Sequence, residues 1–220
     1  MIAEAILLGS VAAISAGLAA ANRHFSARRV FDRHKLLPIG DAKDGAVVRV
    51  RGLVRPGGGD LLSAPLSGRP CVAWTLHVSQ EHGRGDMANY IRVLDERIIR
   101  PFFVDDEHDT AFVTPEESSL ALIEDCTFDS RTDKVVPALE AHLAARGVDM
   151  LTGANYVVRE AILSVGEPVT VVGRGSWESD PSRPGEGYRS VGRRLVIATG
   201  PKGVVHVSDD PSLTQQTKKP

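Results

Sequence analysis

Five consecutive positions, Asp105, Asp106, Glu107, His108 and Asp109, crowd carboxylates against an imidazole. Oxygen and nitrogen donors at that density invite a metal ion. The spacing fits no calcium loop, because the central glycine and the terminal bidentate glutamate are missing, so the run reads as a solvated hairpin turn. Gly57, Gly58 and Gly59 would suit a phosphate cradle, but the Lys and Ser/Thr of a P-loop are absent and no helix signal follows; they read as a hairpin loop. Cys71 and Cys126 are the only cysteines. Two thiols make no disulfide framework and cannot close a four-ligand zinc site, so both read as buried apolar fillers. The histidines, His77, His82, His108 and His206 among them, are scattered without ligand spacing. With no GxSxG elbow, HExxH, CxxC or Walker motif, the expectation is no catalytic residues, no metal and no cofactor. A hydrolase with dispersed residues leaves no local trace and stands as the alternative.

The elements that would position any site begin with an overall frame of 220 residues, enough for one domain with appendages. A formal net charge of −2, from 26 basic and 28 acidic residues, gives no global field for a polyanion. No nucleic-acid partner is therefore expected.

Residues 2–21 are almost wholly Ile, Leu, Val, Ala and Gly, interrupted by Glu4, Ser10 and Ser15. At about 1.5 Å per residue such a run matches the roughly 30 Å hydrocarbon core of a bilayer. Residues 1–22 read as a transmembrane helix. A cleaved signal peptide wants a positive n-region, which is missing, although Ala19, Ala20 and Ala21 resemble a cleavage site and keep an exported β-domain as an alternative. A core or interfacial helix would show a polar face, and this run has none. Arg23, Arg28, Arg29, Arg33 and Lys35 follow directly and form a basic juxtamembrane segment, 23–39. Basic residues stay on the cytoplasmic side, so a single-pass protein with a cytoplasmic domain is expected, its basic border also touching anionic headgroups of the lipid bilayer.

Residues 40–207 read as β-rich. Alternation over 46–54 sets Val47 or Val48, Val50 and Leu53 against Arg49, Arg51 and Arg55; a second strand over 71–79 puts Val72, Trp74, Leu76 and Val78 on one face. Further strands are expected over 90–94, 98–104, 110–113 and 169–173, and a hairpin over 195–207 about residues 200–203. Arg84, Gly85 and Asp86 lie in a polar loop and form an adhesion-like tripeptide that chance supplies often; residues 179–187 form another loop. Asp133 can cap a helix over 134–146 that ends at Gly147, and residues 155–163 read as a short helical or extended piece. Residues 208–220 are polar and read as a disordered tail. The pattern GxxVxVxG occurs twice, at Gly45, Val48, Val50 and Gly52 and at Gly166, Val169, Val171 and Gly173, which suits two equivalent strands of a barrel or sandwich. The fold class is thus β-rich α+β: a transmembrane helix, then a mainly antiparallel barrel- or sandwich-like domain with one or two helices.

Val50, Gly52 and Val54; Ser63, Ala64, Pro65, Ser67, Gly68, Arg69, Pro70, Cys71, Val72 and Trp74; Pro101, Phe102, Val104 and Asp105, matched as an exposed strand and turn; and Arg159, Glu160, Ile162, Leu163, Gly166, Glu167, Val169, Val171 and Gly173 together carry a likeness. Over residues 40–205 this set resembles the GIDE-type, or "beside a membrane", domain of mitochondrial membrane-anchored ubiquitin ligases and of bacterial membrane proteins. The resemblance implies a β-rich domain next to a bilayer that recognises or regulates a membrane-associated protein partner. The ligases add a second transmembrane helix and a RING finger of Cys/His zinc ligands; this sequence offers only Cys71 and Cys126, so ligase activity is not carried over. The candidate interaction residues are Arg159, Glu160, Trp74, Pro65 and Arg69. Pro65 and Pro70 fix φ and Gly68 permits a turn, while Arg159 and Glu160 near a core can pair or hold a loop, read as a tie between helix and sheet or else as a partner contact.

Overall fold

The computed structural model describes residues 28–83, 89–150, 153–180, 192–199 and 203–214. Helix α1 occupies residues 28–33, and a 3-10 turn, Ile39–Asp41, leads into the strands. These are β1 (Val47–Pro56), β2 (Leu62–Ser63), β3 (Pro70–Cys71), β4 (Ala73–His82), β5 (Asn89–Ile99), β6 (Phe102–Asp105), β7 (Thr110–Val113), β8 (Ser118–Ala121) and β9 (Cys126–Asp129). After them come α2 (Pro137–Ala144), β10 (Tyr156–Leu163), β11 (Pro168–Ser179), β12 (Arg193–Thr199), β13 (Val205–Ser208) and α3 (Pro211–Thr214).

Strict alternation builds the barrel. Along β1, Val48, Val50 and Val54 point inward and are at most 2 % exposed, while Arg49, Arg51 and Leu53 point out. The expectation that Leu53 joins the core is corrected: it shares the parity of the arginines and is 46 % exposed. β1 pairs with β6, β6 with β7, β7 with β12, β12 with β11, and β11 returns to β1, so the sheet closes on itself. All of these pairings are antiparallel except β7 with β12. The result is a five-stranded Greek-key barrel of the OB-fold kind. Its core gathers Val50, Val54, Phe102, Val104, Val113, Val169, Val171, Leu195 and Ile197.

The two GxxVxVxG copies lie side by side. Val48 faces Gly173, Val50 faces Val171 and Gly52 faces Val169, so the repeat pairs antiparallel with itself about a local two-fold through Val50 and Val171. Gly52 is needed for close approach: a Cβ there would sit 2.2 Å from the Asp105 carbonyl oxygen.

The expected hairpin over 195–207 is corrected. β12 and β13 both run antiparallel to β11, β12 along its second half and β13 along its first, so they are two successive pieces of one edge rather than partners of each other. β13 then takes β8 as a parallel neighbour.

Two excursions from the barrel make a second sheet. The β1–β6 connection supplies β4 and β5, the β7–β11 connection supplies β9 and β10, and the order is β5-β4-β10-β9. One face of this sheet, with Trp74, Leu76, Val78, Val158 and Ile162, packs on Leu139 and Leu143 of α2; at one end the other face lends Ala73, Ala161 and Leu163 to the barrel core. The stretch 155–163, left open between helix and strand, is strand β10. α2 is shorter than the 134–146 expected. Pro137 stands in its first turn, Asp133 spends its carboxylate on the Asp129 N–H at 2.8 Å, and Val136 occupies the cap without a side-chain bond.

The tail also needs correction. Ser208 ends β13 and residues 211–214 form α3, with Leu213 only 4 % exposed. The transmembrane reading of 1–22, Arg23, the tripeptide Arg84, Gly85 and Asp86, most of the 179–187 loop and the tail past Thr214 lie outside the described residues. Among the described residues no helix is long and apolar enough to cross a membrane.

Candidate functional site

The loop between β2 and β3 is closed by its own backbone. The Gly68 N–H donates to Ala64 O at 2.9 Å, the Ala64 N–H donates to Arg69 O at 3.1 Å, and Gly68 takes φ +68°. Glu160, fully buried on β10, reaches under this loop, where its carboxylate accepts the Leu66 N–H at 2.7 Å and the Ser67 N–H at 3.1 Å. A buried carboxylate without hydrogen bonds would cost several kcal/mol, and two converging N–H donors offset that cost while fixing the loop. The loop-holding role considered for Glu160 is the one it has.

Arg69 stands at the exposed end of this loop. Its guanidinium lies 3.5 Å from Asp125, 3.8 Å from Glu167 and 3.5 Å from the Ser164 hydroxyl. Both carboxylates also take backbone donors: Ile162 N–H to Asp125 at 2.9 Å and Ser164 N–H to Glu167 at 2.8 Å. Asp209 joins them from the end of β13, accepting the Ile123 N–H at 2.9 Å. Burial, reinforced by the charges of Glu167 and Asp125, pushes the Asp209 carboxyl up to about 7. Burial first, and the Glu160 carboxylate second, push the Cys71 thiol up to about 11, so near neutrality it is a thiol and no nucleophile.

The other candidates separate. Trp74 is 2 % exposed, packs edge-on against His142 at 5.6 Å between ring centroids, and belongs to the second core; Pro65 is buried as well. Neither offers a contact surface. Phe102 and Val104, matched as an exposed strand, are fully buried in the barrel. Arg159 does not pair with Glu160, because neighbours on a strand point to opposite faces; it is exposed and lies 3.7 Å from Glu124. Arg28, Arg29, Arg33 and Lys35 are all exposed, with Arg28 3.8 Å from Asp32.

The acidic run is the β6–β7 turn. Asp106 is its organiser, accepting the N–H groups of Ile39, His108 and Asp109 at 2.7, 3.2 and 2.8 Å. Among the described residues no three His, Cys, Asp or Glu side chains gather as metal ligands. Beside this turn lies a cleft of about 410 Å³ walled by Leu37, Pro38, Leu53, Asp106, His108 and Thr214. Sequence reasoning passed over the outer wall of the barrel, where Phe103 and Phe112 sit 4.7 Å apart and Arg194 covers Phe112 at 4.9 Å. Facing positions on neighbouring strands were the only available signal, and these need the register.

Compared with known proteins, the chain matches no family model and no curated protein.

Proposed function

We propose that this is a single-pass membrane-anchored protein whose cytoplasmic GIDE-like domain is a non-catalytic interaction module, meeting a protein partner at the bilayer surface through the Arg69 loop. The observation that carries the reading is α1. It begins six residues after the apolar run 2–21, presents Arg28, Arg29 and Arg33 outward, and seals Phe31 into the domain at 0 % exposure. An arginine-rich segment held rigidly to the domain suits contact with anionic headgroups, at about 1 kcal/mol per basic residue. Arg69 suits a recognition role because its loop is fixed from below by Glu160 while its own head is exposed, so little order is lost on binding. Part of the GIDE resemblance falls on this loop: the run from Ser63 to Cys71 forms it, and Glu160 with Glu167 flanks it.

Fractionation with intact-mass measurement tests the anchor. The full-length chain is expected in the membrane pellet after an alkaline wash; a soluble chain beginning near Asn22 overturns the reading. Pull-down from detergent-solubilised membranes tests the module. Arg69→Ala is expected to lose co-purifying protein while shifting stability by less than about 1 kcal/mol, as for other exposed ion pairs.

A further inference from the structure

Helices from the two ends of the described chain meet on the outside of the barrel. Phe31 of α1 and Leu213 of α3 are buried together with Ala121 of β8 and Val172 of β11, in a small apolar cluster separate from both main cores. Arg49, on the outward face of β1, fastens the pair: one guanidinium nitrogen donates to Phe31 O at 2.8 Å and another to Leu213 O at 2.7 Å. Arg51 repeats the device on Thr214 O at 2.8 Å, and the Thr170 hydroxyl donates to Leu213 O at 3.3 Å. These donors meet carbonyls in the last turns of the helices, where partial negative charge favours a cation; the Phe31 carbonyl also accepts the His34 N–H at 3.2 Å. The Arg49 guanidinium also lies 5.7 Å from the centre of the Phe31 ring.

Both pieces rest on this shared cluster, to which α1 contributes Phe31 and α3 contributes Leu213. The sequence reading of Arg49 and Arg51 as a merely wet strand face missed this. We infer that α3 is a strap that locks the basic helix α1 to the barrel, so that withdrawal of α3 frees α1 from the barrel wall. As a control of how the domain is held at a membrane this rests on the anchored reading, but the lock itself does not.

Trypsin reads the lock directly in the full chain in detergent micelles, because Arg29 and Arg33 lie within α1 while Arg51 and Arg174 lie within barrel strands. Leu213→Asp and Arg49→Met are expected to speed cutting after Arg29 and Arg33 by about tenfold, leaving cuts after Arg51 and Arg174 slow. An unchanged rate after Arg29 and Arg33 overturns the strap. Should either variant open the barrel, Leu213→Ala and Thr170→Val thin the contact without inserting charge, and the same ratio of outer to inner cuts decides. A rise supports the lock and a constant ratio removes it. Because the cuts are made in micelles, the result is indifferent to whether residues 2–21 span a bilayer; the alkaline wash settles that separately.

Discussion

Glu160 and Asp209 are both acids drawn inward, and their surroundings treat them differently. Glu160 has two donors and one task, so exchanging it for an amide should leave one N–H facing another N–H. Glu160→Gln is expected to cost about 1–3 kcal/mol in urea unfolding, with the loop at Gly68 becoming the first site of proteolysis. The Asp209 carboxylate accepts the backbone N–H of Ile123 and has two acidic neighbours, Asp125 and Glu167, which Arg69 only partly balances. Its carboxyl rises from an ordinary 3.8 to about 7, so the folded chain retains a proton that the unfolded chain has released. The stabilisation from this group is complete below the lower value, declines as pH climbs through the window, and is gone above the upper one. Urea midpoints should therefore fall as pH rises from about 4 to about 7. Asp209→Asn should reduce that fall; an equal fall in the variant would assign the effect elsewhere. Glu96 works in the opposite sense. Burial raises its carboxyl, but hydrogen bonds from Arg146 and His142 outweigh this and hold it low, so its contribution fades on acidification.

Among the elements, the seam between β1 and β11 carries the barrel. The glycine of its first repeat is fixed by the carbonyl of Asp105, leaving no room for a methyl group. Gly52→Ala is expected to destabilise by about 1–3 kcal/mol, as overpacking does, checked by thermal unfolding. Much of this level could be read beforehand: the alternation in β1 and β4, the glycine-to-glycine strands and the apolar face of α2 follow from period and turn chemistry. Three things could not. Leu53 is hydrophobic but of the wrong parity, and its outward position follows from the backbone rather than from its side chain. β12 and β13 look like a hairpin because a glycine-containing stretch separates them, yet both are held by β11, a partner far off in sequence. α3 has a single apolar anchor, Leu213, and no period to detect. At the site, the tight loop was legible from Pro65, Gly68 and Pro70, whereas Glu160 stood out only through the family resemblance, on a stretch left open between helix and strand. That Arg159 stands apart from Glu160 required the strand.

For the whole molecule, the question is whether barrel and second sheet behave as one body. Each main core has its own tryptophan: Trp74 lies in the second, and Trp177 packs on the barrel core with its indole N–H donating to Ala42 O at 2.8 Å. The cores also share strands, since β4 and β10 feed residues to both. Unfolding followed in Trp74→Phe and Trp177→Phe should give coincident urea midpoints, the mark of a single cooperative unit. Midpoints that separate would show the second sheet to be an independent domain.

The closing pair of the barrel has a consequence for how the chain is made. Val47 finds its partner in Arg174, so β1 emerges from the ribosome long before the strand that completes it. Until then its open edge offers unpaired N–H and C=O groups to any other nascent strand. During that interval the second sheet is no help, because β4 likewise waits for β10. Translation therefore delivers a long unfinished intermediate, and a pause introduced before β11 should raise the yield of aggregated chain more than an equal pause after it.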